Sequence, residues 1–162
     1  MASQTTTTVK TASSSEESRV IDPIVLAFSS DPVLRWFYPD AREYLRHIPE
    51  FVRLYAGNGF EHRAAHYVGN AAAGALWHPP GVDSDEDAMV SFVENTMSAD
   101  RQQVLWDVSK RLERYHPSEP YWTLRLIGVD PMQQSKGFGT SLMTHQLEAC
   151  DREQTLAYLE SS

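Results

Sequence analysis

The sequence has little that favours a membrane, a nucleic acid or an oxidising compartment as its setting. Its 162 residues include one cysteine, Cys150, so no internal disulfide can form and a reducing, cytoplasmic location is expected. No apolar run approaches the length of a membrane span. Acidic residues outnumber basic ones by 22 to 14, and the basic residues form no cluster. We therefore expect no membrane and no nucleic-acid partner.

The sequence also lacks a spacing of residues that is typical of metal ligands. None of the spacings among the histidines is typical of a metal site, so the sequence predicts none, and the residues His47, His62, His66, His78 and His145 are expected to be structural or at the surface. Cys150 is expected to face the core from a helix, with a catalytic thiol as the alternative.

What remains is the composition of a globular protein. Apolar residues make up 41% of the chain and charged residues 22%. The length is that of one domain. We expect a disordered tail over residues 1–5 and a single domain over residues 6–162.

Periodicity and turn signals predict the order β, α, α, β, β, α, α, β, α, β, which gives a mixed α/β sheet with helices on both faces. Residues 31–39 are predicted to be an aromatic connector that packs in the core or shapes a substrate pocket. The small residues of the third strand predict close packing beneath a helix. The predicted strands are 6–11, 62–68, 71–77, 121–129 and 155–159.

Two predicted helices carry apolar stripes at the helical period. The first has Tyr44, Leu45, Ile48, Phe51, Val52 and Tyr55, and the second has Val104, Leu105, Val108 and Leu112.

The most informative stretch is a strand, a glycine-bearing turn and a helix start between Tyr121 and Cys150. Asp130-Pro131 ends the strand, and residues 134–140 lead into a run with helical periodicity. Such a turn gathers unpaired backbone N–H groups that can hold a phosphate. Gly137 and Gly139 allow close approach to the main chain. The alternative is a glycine-containing turn without a ligand.

These residues resemble a known family. Gln134-x-x-Gly137-x-Gly139, after a strand that ends in Gly128-Val129, is similar to the acetyl-coenzyme-A motif of the GNAT superfamily of N-acetyltransferases. The stretch LIGVDPMQQSKGFGTSLM fits the motif without gaps. Ser135 stands where many members have glycine. The resemblance implies a GNAT-like α/β (α+β) fold with a mixed, mainly antiparallel sheet.

The resemblance also implies acetyl-CoA as cosubstrate and direct attack of a neutral primary amine in a ternary complex. It implies that strand residues Ile127, Gly128 and Val129 pair with the pantetheine arm, and that a backbone N–H near Val129 stabilises the oxyanion. The strand is expected to splay from residues 155–159. The expected pyrophosphate-binding residues are Gln134, Ser135, Lys136, Gly137, Phe138, Gly139 and Thr140.

The acid and base chemistry is less defined by the sequence. Glu119, His116 and Glu160 are candidates for the group that deprotonates the amine. Family members continue into a further helix and strands with a tyrosine that protonates the leaving thiolate. We expect this chain to lack that part, as a fragment or a shortened domain, with Tyr158 as a substitute acid.

A sheet edge left open in this way predicts self-association, such as a homodimer. Two other functional classes stay open: a catalytically inactive CoA-binding module and a purely structural domain. The sequence does not identify the amine acceptor.

Overall fold

A computed structural model describes residues 7–161; the predicted tail at residues 1–5 lies outside them. The strands are β1 (Val9–Thr11), β2 (Ala65–Val68), β3 (Ala73–His78), β4 (Tyr121–Val129) and β5 (Leu156–Leu159). The helices are α1 (Glu17–Ala27), α2 (Pro32–Phe37), α3 (Ala41–Ala56), α4 (Asn58–Glu61), α5 (Glu86–Thr96), α6 (Ala99–Leu112) and α7 (Phe138–Glu153).

The strands form one sheet in the order β1-β2-β3-β4-β5. The first four pair antiparallel in sequence, and β5 joins β4 in parallel. The predicted mixed, mainly antiparallel sheet is therefore confirmed. The central strand occupies the residues that the sequence predicted, because its aromatic and β-branched residues suit a half-buried sheet.

Each face of the sheet has its own hydrophobic core. Helices α1, α3 and α5 supply one, which includes Ile24, Ile48 and Val93. Helix α7 covers the other face with Leu142, against Ala75 and Trp77 of β3. The predicted arrangement of helices on both faces is confirmed.

Close packing beneath a helix is also confirmed for β3. A Cβ atom added to Gly74 would lie 2.4 Å from the backbone oxygen of Val20 in α1. No side chain fits between the two backbones, so the helix can rest directly on the strand.

Three local predictions are wrong. Residues 31–39 hold a helix, α2, because the Asp31 carboxylate accepts hydrogen bonds from the N–H groups of Val33 and Leu34 and caps it. Leu45 is 61% exposed although it shares the helical period. The stripe of α6 has no fully buried residue: Leu105 packs against the core, but Val104 and Val108 are exposed.

Among residues 7–161, no helix is both long and apolar enough to cross a membrane.

Candidate active site

Strands β4 and β5 stop pairing about halfway along β4. Their last paired residues are Leu124 and Leu159, whereas β4 continues to Val129 in register with β3. Within residues 7–161, one edge of β4 therefore has no neighbouring strand over residues 125–129. This gap is the splay that the resemblance implied.

A β-bulge lies at the start of the gap. Leu126 pairs with Leu76 and Leu124 pairs with Trp77, so Arg125 is the extra residue on β4. A bulge bends its strand and increases the local twist, which accounts for the divergence from β5. The sequence could not locate it, because no glycine or proline marks the position.

Backbone groups of two β4 residues face the gap. The N–H of Asp130, directly after β4, donates to the carbonyl oxygen of Ala72, directly before β3, at 2.9 Å. Strand backbone groups alternate in direction, so Gly128 also points toward β3. Val129 and Ile127 then direct their N–H and C=O groups into the gap, where an extended amide-bearing ligand can pair with them as an added strand would.

The gap leads to a turn and the start of α7. Ser135 and Gly137 have positive φ values of 62° and 80°. Gly137 is the N-cap residue of α7, and as a glycine it has no side chain that could accept a hydrogen bond from the first helix amides. The first amide bonded within the helix is that of Ser141, to the Gly137 oxygen at 2.9 Å. The amides before it, at Phe138, Gly139 and Thr140, have no acceptor in the helix.

There is space in front of these amides. A Cβ atom on Gly137 would meet no atom within 4 Å, and one on Gly139 would touch only Val129 Cγ2, at 3.6 Å. The exposed Lys136 Nζ donates to Gln133 Oε1 at 2.7 Å. A positive helix end, free amides and a mobile cation together fit a diphosphate. Gln134, Ser135, Lys136 and Gly137 form the turn, all exposed.

A cleft of about 380 Å³ opens between the end of α1 and β4. Its walls are Ala27, Phe28, Ser30, Asp31, Ile127, Gly128, Val129 and Gln134. The cleft thus joins residues of the loop and the gap to the α1–α2 connection. Of residues 31–39, the segment predicted to pack in the core or to shape a pocket, only Asp31 lines it.

Three of the candidate catalytic residues, Glu160, His116 and Tyr158, belong to one hydrogen-bonded cluster. Glu160 Oε1 lies 3.0 Å from His116 Nε2 and accepts a hydrogen bond from the Tyr158 hydroxyl at 3.0 Å. His116 Nδ1 lies 3.0 Å from the Tyr121 hydroxyl. Burial, and then the bond to Glu160, raise the pKa of Tyr158 to about 12, so Tyr158 is a proton donor at neutral pH.

Glu119 lies outside this cluster. It is exposed in the loop before β4, and it makes no hydrogen bond or ion pair with any residue in the range 7–161. Cys150 is 3% exposed, and burial raises the pKa of its thiol. It faces the core, as predicted.

Sequence reasoning missed Arg125. Its guanidinium carbon lies 3.9 Å from the centroid of the Tyr55 ring, and its Nη2 donates to Ser84 Oγ at 3.0 Å. The available signal was a charged residue inside an otherwise apolar central strand.

No protein-family model matches the sequence. Among the solved structures that resemble it in fold are two acetyltransferases. One, from Corynebacterium glutamicum ATCC 13032, is described as histone acetyltransferase HPA2 and related acetyltransferase; it is 22% identical with a TM-score of 0.59, over 96% of this chain and 76% of that one. The other is the S171A mutant of an agmatine N-acetyltransferase in its apo form. It is 15% identical with a TM-score of 0.56, and the match covers 94% of this chain and 74% of that one. The fold is that of GNAT-type acetyltransferases, as predicted.

Proposed function

We propose that this protein transfers the acetyl group of acetyl-CoA to a primary amine by direct attack in a ternary complex. The observation that carries the proposal is the gap along residues 125–129, which ends at a turn with uncapped helix amides. A strand edge followed by free amides suits a long ligand with amides in its middle and a diphosphate at one end. Coenzyme A has that order of groups.

Different residues of the chain bind the different parts of coenzyme A. Amides of Phe138, Gly139 and Thr140, with Lys136, hold the diphosphate. The backbone groups of Val129 and the carbonyl group of Ile127 pair with the pantetheine arm. Val129 borders the diphosphate turn, whereas the thioester is at the other end of this arm. The Ile127 N–H, nearer the start of the gap, therefore donates to the oxygen that gains negative charge when the amine attacks.

The chemistry needs one proton to leave the amine. The amine nitrogen forms a bond to the thioester carbon, the carbon–sulfur bond breaks, and the sulfur departs as a thiolate that takes up a proton. We assign proton removal to Glu160, because its carboxylate is held by His116 and Tyr158. Glu160 follows Leu159, which pairs with Leu124, so it lies at the start of the gap, the end far from the diphosphate turn. A water molecule between it and the amine can relay the proton.

Tyr158 is the proton donor to the thiolate in this proposal. Its raised pKa keeps its proton in place until the thiolate forms. Glu119 receives no role, because it has no contact that would orient it.

The neighbours' names suggest two acceptors for the first experiment, a histone peptide and agmatine. A panel of these, small amines, polyamines and amino acids is incubated with acetyl-CoA, and free thiol is measured. Thiol release and an acetylated product with at least one amine support the proposal.

Coenzyme A binding is measured in parallel by the rise in melting temperature. A rise without thiol release from any amine would favour an inactive CoA-binding module. No rise would favour a purely structural domain. Both outcomes overturn the proposal, and the melting experiment tells them apart.

A further inference from the structure

We infer that Arg125 binds a carboxylate of the acceptor, so that the amine belongs to an amino acid or another short amino-carboxylate. This inference rests on the proposed function, since it names the acceptor class of the same site. Its starting point is a cation without a counter-ion. Within residues 7–161, no carboxylate lies within 4.0 Å of the Arg125 guanidinium.

The guanidinium is held in place by neutral groups. It stacks on the Tyr55 ring, and Nη2 donates to Ser84 Oγ, which in turn donates to the Tyr55 carbonyl oxygen at 2.6 Å. These contacts fix the plane of the guanidinium while they use few of its donors. Nε is buried and has no hydrogen-bond partner in the described chain. A fixed, partly buried cation with spare donors is a binding group for an anion.

A carboxylate is the anion that fits best. The guanidinium presents parallel N–H groups that match the two oxygens of a carboxylate. One such fork is enough for a carboxylate, whereas phosphate is commonly held by several cations or by free amides, which this protein has at the start of α7 instead.

The position of Arg125 agrees with a role in acceptor binding. It is the bulged residue where the gap begins, and Ile127, whose backbone faces the gap, lies roughly 7 Å further along the strand. Its side chain lies on the sheet face covered by α1 and α3, since it contacts Tyr55 of α3. The cleft beside Phe28 of the α1 end opens on the same face.

Charges of both signs meet at this point of the sheet. Glu160 follows Leu159, which pairs with Leu124, the residue before Arg125. A zwitterionic acceptor can therefore place its carboxylate at Arg125 and its ammonium group toward Glu160. An acceptor with a second cation in place of the carboxylate would be repelled by Arg125.

The first test measures binding without turnover. CoA-loaded protein is titrated with butanoate, 3-phenylpropanoate and glutarate, each compared with its uncharged amide, and the melting temperature is followed. We expect at least one acid to raise the melting temperature where its amide does not, and Arg125→Met to abolish that difference. Arg42→Met, which removes an exposed arginine on α3, is the matched control and should preserve it.

The second test measures selectivity in turnover. L-Phenylalanine and phenethylamine differ only in the carboxylate, as do other amino acids and their decarboxylated amines. We expect kcat/KM for the better amino acids to exceed that of the paired amines by about tenfold or more, the factor that one charge-assisted hydrogen bond implies. Arg125→Met should remove the preference, and Arg125→Lys, which keeps the charge without the fork, should retain part of it.

Three outcomes would overturn the inference: acid and amide shifting the melting temperature equally in every pair, an acid effect that persists in Arg125→Met, or a preference for the decarboxylated amines. A loss of folding in Arg125→Met is recognised from its far-ultraviolet spectrum, and Arg125→Lys then serves in both tests. A protein that binds acids through Arg125 without acetylating any amine would contradict the proposed function and, with it, the assignment of the acid to an acceptor. Acetylation of amines with no acid effect at Arg125 would overturn this inference alone.

Discussion

Gly74 and Gly128 face each other across strands β3 and β4, and helix α1 rests on both. A Cβ on Gly128 would lie 2.7 Å from Ile24 Cα and 2.8 Å from Ala27 Cβ. The glycine pair therefore lets the helix contact the sheet backbone at the point where β4 begins to border the cleft. Gly128 is required by packing on one side of the strand, while Ile127 and Val129 offer their backbone groups to the gap.

Gly128→Ala is expected to destabilise the protein by about 1–3 kcal/mol, because the added methyl group would overlap a helix backbone that cannot give way locally. Urea unfolding measures the change. Gly139→Ala is the matched control, since its Cβ would make only an ordinary contact at 3.6 Å. Equal unfolding midpoints for the two variants would contradict this account of the packing.

Gly137→Glu is expected to weaken CoA binding by at least about tenfold, because a carboxylate would enter the space in front of the helix amides and repel the diphosphate. Isothermal titration measures the affinity. Gly81→Glu is a close control, because Gly81 has the same φ of 80° and the same open surroundings. This variant introduces the same backbone strain and the same charge at a position outside the loop. Unchanged affinity in a folded Gly137→Glu protein would remove the basis of the CoA site.

Glu160→Gln is expected to lower kcat by about 100-fold, the lower range for loss of a general base. Glu119→Gln, a change at an exposed residue with no hydrogen bond or ion pair to residues 7–161, should leave kcat near the wild-type value. If the two variants lost activity equally, Glu160 would not be the base.

Stability is expected to fall as the pH drops from about 6.5 to about 4, because burial lowers the pKa of His66 to about 4. His66 is 3% exposed, between Thr11 and Gln146. As the pH falls, the histidine of the unfolded chain binds a proton near pH 6.5, before that of the folded protein does. The stability that neutral His66 contributes is therefore complete above pH 6.5 and is lost between pH 6.5 and 4, by about 3 kcal/mol or less.

Urea unfolding from pH 4 to 7 measures this loss, and His66→Gln should reduce its slope. His78 also has a pKa lowered by burial to about 4, so some slope should remain in the variant. An unchanged slope in His66→Gln would contradict the assignment to His66.

The sequence alone was sufficient to predict the order of the strands and longer helices, the mixed sheet and the position of the loop, but not the short helices α2 and α4. Each follows from local signals: the apolar run of residues 121–129, the Asp130-Pro131 stop, and glycines where the chain turns into a helix. The bounds of β4 could be predicted to the residue, since turn-forming residues flank it on both sides. The stripe of α6 was misjudged because periodicity shows which residues share a face and not whether anything covers that face.

The tertiary structure decided the features that depend on residues far apart in the chain. Only the fold puts Glu160 and His116 in contact, 44 positions apart, and only the register between β3 and β4 identifies Arg125 as the bulged residue. Gly128 looked like part of a ligand motif until helix α1 was seen to lie against it. Local sequence specifies local conformation, whereas contacts across the sheet depend on how whole elements pack, and these contacts form the candidate acceptor site.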